Sequence, residues 1–273
     1  MLPKPSKGPR VDSHFHVFTA GQSRPGARYV PGYDATFESW RAAAGAAGVE
    51  CGVLVQPSFL GTDNTRLCEE LRRHADILRG VAVIAPTATA AKLRDFHSAG
   101  VRGIRFNLSG GSHDLHAWSD AAGIWDEMLR LGWHLEVHTD VGALPHVLPQ
   151  LPASMPLVID HMARPAAASA QDPTITMLSA RARTSPVHVK LSGAYRLHGI
   201  DAGAVASVLR DELGAACLLW GSDWPCTNHE AFANYPRLLA ALFEWIGDAD
   251  AERALGANPA ALYWGGGSPA SSI

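Results

Sequence analysis

The chain has 273 residues, 47% of them hydrophobic, with 23 basic against 26 acidic residues and a formal net charge of -3. Such a composition supports a large core and argues against disorder. With no basic run or acidic tail, neither a nucleic-acid nor a membrane surface is expected.

Residues Met1 to Arg10 hold three basic residues and three prolines but no apolar segment, so they read as an N-terminal extension and not as a signal peptide. Short apolar runs then alternate with helix-like stretches. Val11–Val17 is the first candidate strand, followed by a helix over Phe37–Ala47. Gly52–Gln56 precedes Asn64–His74, and Gly80–Ile84 precedes Thr89–Ala99. Gly103–Asn107 leads to Ile124–Leu131, and His134–His138 to Leu144–Leu151. Leu157–Asp160 leads to Thr174–Arg183, Val187–Leu191 to Ala204–Leu213, and Leu218–Gly221 to Ala231–Ile246.

Most of the strand runs lack polar alternation, which suits parallel strands covered on both faces. Strand–helix alternation predicts an α/β fold with a parallel sheet. Eight such units can close into a single-domain (β/α)8 TIM barrel over residues 11–264, a fold that takes roughly 250 residues. A doubly wound sheet is the alternative, and it rarely has eight regular units. Asn258-Pro259 reads as a helix start, with asparagine as the cap. Residues 265–273 are rich in Gly, Ser and Pro and read as a flexible tail. No apolar run approaches 18 residues, so no membrane span is expected. None of the four cysteines is spaced as CxxC, which excludes a zinc finger. Cys51 and Cys217 open apolar runs and read as buried core thiols, and a cytoplasmic location is expected.

In such a barrel, chemistry gathers at the C-terminal ends of the strands. The first strand carries Asp12-Ser13-His14-Phe15-His16, and the period of two points His14 and His16 the same way. Two imidazoles there can chelate a metal, polarise a carbonyl or simply hydrogen-bond to each other. Further ends carry Gln56-Pro57-Ser58, Arg105-Phe106-Asn107, Glu136-Val137-His138, Asp160-His161 with Arg164, and Ser192 with Tyr195 and Arg196. The last strand runs into Ser222-Asp223-Trp224-Pro225. Burying so many polar groups for stability alone would be costly, so a shared active site is the favoured reading. His74, His97 and His146 fall in helical segments and read as surface residues. His134 and His188 open strands and read as structural, while His113, His116, His198 and His229 lie in loops.

His14-x-His16, His161 after strand six and Asp223 after strand eight resemble the amidohydrolase superfamily. Gln56-Pro57-Ser58, Gly103-Ile104-Arg105-Phe106-Asn107, Asp160-His161-Met162-Ala163-Arg164, Lys190-Leu191-Ser192-Gly193 and Trp220-Gly221-Ser222-Asp223-Trp224-Pro225 narrow the resemblance. They are similar to the branch of lactonases acting on pyrone-dicarboxylate, muconolactone and sugar lactones, over about Val11 to Tyr263. The resemblance implies hydrolysis of a cyclic ester with Asp223 as general base. It places His14, His16 and His161 around the carbonyl, where fixed groups stabilise developing charge. Arg105, Arg164 and Arg196 would bind carboxylates or hydroxyls, with Ser58, Asn107, His138 and Tyr195 completing the binding set.

Two departures stand out. The pyrone-dicarboxylate members carry another arginine just beyond strand four, where this chain reads Leu108-Ser109-Gly110-Gly111-Ser112. They also have tyrosine at the end of strand five, where this chain has His138. His138 would complete a single divalent-metal site with His14, His16 and Asp223, zinc being preferred, while metal-free catalysis stays open. No lysine on strand four supports a two-metal centre. The alternative function is a metal-dependent decarboxylase of small aromatic or muconate-type acids, which shares the histidine pair, a strand-five histidine and the final aspartate. The expected partner is a small lactone or carboxylic acid, and the sequence leaves the oligomeric state open.

Overall fold

The computed structural model describes residues 8–267. Most of the expected N-terminal extension, and the tail from residue 268, lie outside the described residues. Eight parallel strands pair in chain order: β1 Val11–Phe15, β2 Cys51–Val55, β3 Leu78–Ala82, β4 Val101–Asn107, β5 His134–His138, β6 Leu157–Ile159, β7 Val187–Leu191 and β8 Leu218–Trp220. A parallel bridge between Phe15 and Trp224 joins β1 to the segment after β8. The expected (β/α)8 barrel is the observed fold.

The main helices are α1 Phe37–Ala46, α2 Thr65–Arg73, α3 Ala90–Ala99, α4 Ala122–Arg130, α5 Leu144–Val147, α6 Pro173–Ala182, α7 Ala202–Leu213, α8 Tyr235–Leu255 and α9 Ala257–Trp264. Side-chain oxygens of Thr36, Thr89, Asp172, Asp201 and Asn234 accept from free N–H groups at helix starts. One large apolar cluster packs the helices against the strands, with Trp40, Leu71, Leu93, Leu135 and Leu209 fully buried in it. A second cluster takes Val11, Val53, Val55, Val81, Val158 and Leu219 from the strands and Tyr263 from α9. None of the described helices is long and apolar enough to cross a membrane.

Several boundaries differ from the sequence reading. β1 stops at Phe15, because its backbone leaves the β2 register between Asp12 and Phe15. That irregularity turns the Asp12 carboxylate toward Trp40 and Tyr235 while His14 joins the site. The last long helix starts at Tyr235, where Asn234 caps it, and bends at Gly247, whose φ of 76° a glycine tolerates. Asn258 does not cap α9. Its amide donates to the carbonyls of Ala215 and Leu218 at 2.8 and 2.7 Å, tying α9 to the start of β8. Cys51 is buried as expected, whereas Cys217 is only half-buried.

Candidate active site

The site is built on the β1–β8 seam. His16 N donates to Trp224 O and Asp223 N donates to His14 O, both at 2.9 Å. Gly221 permits this approach, since a Cβ there would stand 2.5 Å from the His14 Cβ. Beneath the seam, Asp12 accepts from His14 N, Ser222 N, Ser222 Oγ, Trp40 Nε1 and Tyr235 Oη. These bonds fix where both strands end, and they bring His14, His16 and Asp223 together.

The two oxygens of Asp223 are used differently. Oδ2 accepts from Tyr195 Oη at 2.6 Å and from Arg196 Nε and Nη2 at 3.1 and 3.0 Å. Oδ1 lies 3.4 Å from His16 Nε2 and 3.6 Å from His14 Nε2. Burial works to raise the Asp223 pKa, but Arg196, His161, His16 and His14 together hold it well below the ordinary carboxylate range. Asp223 is therefore ionised at neutral pH.

The histidines are fixed from behind. His16 Nδ1 lies 2.8 Å from Val55 O, so it must donate there, leaving Nε2 with a lone pair. His14 Nδ1 sits 3.1 Å from Asp160 Oδ1 and 3.2 Å from Lys190 Nζ, and its Nε2 is 3.3 Å from His16 Nε2. His161 Nδ1 is 3.0 Å from Ser192 Oγ, with Nε2 3.9 Å from Asp223. Burial, then the Lys190 charge, pushes the His14 pKa down to about 3. Burial also takes His138 and His161 well below the usual imidazole range. These rings are neutral near pH 7.

A buried ionic layer supports them. Lys190 Nζ reaches Glu136 Oε2 at 2.5 Å and Asp160 Oδ1 at 3.5 Å, while Arg105 Nε donates to Asp160 Oδ2 at 2.8 Å. Burial raises Asp160 in isolation, but Arg105, His14 and Lys190 hold it well below its ordinary value. Glu136 is pushed up, to about 8, by burial and by the neighbouring Asp160 charge. Chain reading gave Lys190 no role, although a lysine inside an apolar strand is itself a signal of a buried ion pair.

A cavity of about 620 Å³ opens above this layer. His16, Ser58, Arg105, Asn107, His138, His161, Arg196 and Asp223 all line it. Three other expected site residues do not line it. His14 is fully buried behind the cavity wall, where it backs His16 and Asp223. Tyr195 spends its hydroxyl on Asp223 and does not line the cavity. Arg164 follows three residues at left-handed φ, is left-handed itself, and does not line the cavity, although it bonds to Ser109 and His138, which do. Its guanidinium donates to Thr139 O and Ser109 Oγ at 2.8 Å and reaches His138 Nε2 at 3.3 Å.

Among the described residues, His14, His16 and Asp223 form one group whose ligand atoms lie within 4.8 Å of one another, and His14, Asp160 and His161 form another. The first fits one divalent ion: the His16 lone pair faces His14 Nε2, and Asp223 Oδ1 completes the donor set. Nδ1 contacts to a carbonyl and a carboxylate are what metal-bound imidazoles use. His138 belongs to neither group.

The amidohydrolase family model matches residues 11–264. The chain belongs to the amidohydrolase family. Among curated amidohydrolase relatives, it is 28% identical to a 2-pyrone-4,6-dicarboxylate hydrolase of Comamonas testosteroni, over 93% of this chain and 90% of that one. It is 32% identical to a 4-sulfomuconolactone hydrolase of Rhizobium radiobacter, over 80% of this chain and 76% of the relative. Among solved structures it resembles one from Acinetobacter baumannii named as a probable 2-pyrone-4,6-dicarboxylic acid hydrolase, with citric acid bound. That likeness has a TM-score of 0.83 at 31% identity and covers 93% of this chain and 99% of the other.

Proposed function

We propose that this amidohydrolase opens a small lactone bearing an anionic group, with Asp223 as the base. One observation carries the reading: Asp223 is an ionised carboxylate with Oδ2 saturated by Tyr195 and Arg196, and Oδ1 left toward the histidines at the cavity wall. A water held by Oδ1 loses its proton to Asp223 as its oxygen adds to the lactone carbonyl. His161, which lines the cavity and can accept at Nδ1 from Ser192 so that Nε2 carries the proton, stabilises the oxyanion. The carbonyl re-forms, the ring C–O bond breaks, and protonated Asp223 returns its proton to the leaving oxygen. The product is one hydroxy acid.

His14 acts from behind, fixing His16 and Asp223. A divalent ion held by His14, His16 and Asp223, zinc by preference, would supply Lewis-acid polarisation of the carbonyl when bound. Arg105, Arg196, Ser58, Asn107 and His138 face the substrate. The similarity to a 2-pyrone-4,6-dicarboxylate hydrolase and a 4-sulfomuconolactone hydrolase supports this class of ligand. Four free cysteines support a reducing, cytoplasmic location.

The test is a panel of carboxylated, sulfonated and sugar lactones beside aromatic and muconate-type acids, with proton release and CO2 followed together. Proton release from a lactone without CO2 is expected. CO2 from an acid, with every lactone left intact, would replace this reading by the decarboxylase.

A further inference from the structure

The arginines that the sequence offers as anion clamps are largely engaged. Arg105 is paired with Asp160, Arg196 with Asp223, and Arg164 is spent on Thr139 O and Ser109 Oγ. Two others line the same cavity, Arg24 and Arg28, both on the loop between β1 and α1. Among the described residues neither guanidinium has a carboxylate partner. Asp223 is the sole carboxylate among the cavity-lining residues, against four arginines. The outer part of the cavity therefore carries unneutralised positive charge.

The loop that carries this charge is held in place. Phe18 and Ala35 exchange backbone hydrogen bonds at its base, and Arg24 N donates to Phe59 O at 2.7 Å. Tyr29 and Tyr33 donate to Glu230 Oε1 at 2.8 and 3.0 Å, across the mouth, and Asn228 N adds a third bond. The Glu230 oxygen nearest the loop is thus occupied by the tyrosines. On the facing wall, Ser109 Oγ and Gly110 N are fixed by Asp140 at 2.8 and 2.9 Å. Gly110 has φ +67°, and a Cβ there would collide with Arg28 Nη1. The missing side chain is what lets that guanidinium lie against the β4 loop.

We propose that Arg24 and Arg28 form a second anion subsite, which takes a carboxylate or sulfonate on the substrate remote from the reacting carbonyl. This rests on the lactone reading for the name of the substrate, but the subsite itself needs only a dianion of suitable span. Charge-assisted hydrogen bonds from forked guanidinium groups suit such an oxyanion. Both arginines are exposed, so screening by water and salt limits the gain to roughly tenfold in affinity.

Equilibrium binding separates the two readings, because it requires no turnover. Benzene-1,3-dicarboxylate and benzoate are titrated by calorimetry into the wild type, Arg24→Met, Arg28→Met, the double variant and Arg28→Lys. The dianion is expected to bind about tenfold more tightly than benzoate to the wild type. The double variant should bind the two probes alike, and Arg28→Lys should keep part of the preference. Equal affinity for the two probes in the wild type, or a preference that survives in the double variant, would overturn the subsite. If the preference behaves as expected but no lactone is hydrolysed, the subsite stands and the lactonase reading falls.

Discussion

Arg196 and Asp223 meet at a single oxygen: both Nε and Nη2 of the guanidinium reach Oδ2, at 3.1 and 3.0 Å, and Oδ1 is left facing His16. The pair orients the base and also keeps it ionised.

That relationship gives the first prediction. The groups facing Asp223 are Arg196, Tyr195, His14, His16 and His161. Its folded-state pKa is depressed, so the basic form persists to pH values below the ordinary carboxylate range. Removing Arg196 raises it, and the base is then lost at higher pH as acid is added. Arg196→Met should move the acid limb of kcat/KM upward. A pH–rate profile checks this, and an unmoved limb would show that Arg196 does not tune the base.

A second prediction concerns metal. The His14, His16 and Asp223 group is close enough to share an ion, and His138 stands outside it. Chelator-stripped protein titrated with zinc should bind one ion. His16→Gln should abolish binding, and His138→Gln should leave it unchanged. Equal loss in both variants would restore His138 as a ligand.

The third prediction concerns the ionic layer. Lys190 and Glu136 are completely buried and 2.5 Å apart. Lys190→Met removes the nearest partner of Glu136, leaving only Arg105 at 3.5 Å, and should cost roughly 1–3 kcal/mol of stability, as for a buried polar group that loses its hydrogen bond. Adding Glu136→Leu should recover most of it, because the uncompensated acid is then gone. Urea denaturation of the single and double variants decides this. Simple addition of the two losses would mean the pair is not the unit of stability.

The fourth is a pH dependence of folding. His134 is buried with neither ring nitrogen hydrogen-bonded, and burial, then Lys190, lowers its pKa to about 3. The unfolded chain takes up a proton near the ordinary value of about 6.5. Stability from the neutral ring is thus complete above that value and is lost as pH falls toward 3. One such histidine contributes about 1.4 kcal/mol per pH unit inside the window. His134→Phe should flatten the stability profile between about pH 6.5 and 5 relative to wild type, by urea denaturation. Parallel profiles would exclude His134 as a source of acid sensitivity.

The parts of this site that follow strand periodicity were legible in the sequence. His14 and His16 alternate along one strand, and Asp223 closes the last apolar run, so their convergence follows once eight units form a barrel. That an arginine could pair with Asp160 was legible, but which one was not, because β5 lies between β4 and β6 and the pairing depends on how the barrel closes. Arg164 lies in a turn with four consecutive left-handed residues, and none of them is glycine. A propensity reading could not anticipate its direction. Arg24 and Arg28 occupy a long loop without periodicity, and only the fold shows that they reach the cavity. The shift of the last helix to Tyr235 came from a local cap at Asn234 that the apolar pattern did not reveal.

The central claim is that ionised Asp223 activates the water that opens a lactone. The most direct measurement is turnover by Asp223→Asn on the best lactone of the panel, beside its thermal unfolding. Asparagine keeps the shape but cannot take the proton. The account predicts that kcat falls by about 10²–10⁴-fold, the range expected for loss of one general base, with the fold retained. A folded Asp223→Asn protein with near wild-type turnover would contradict it.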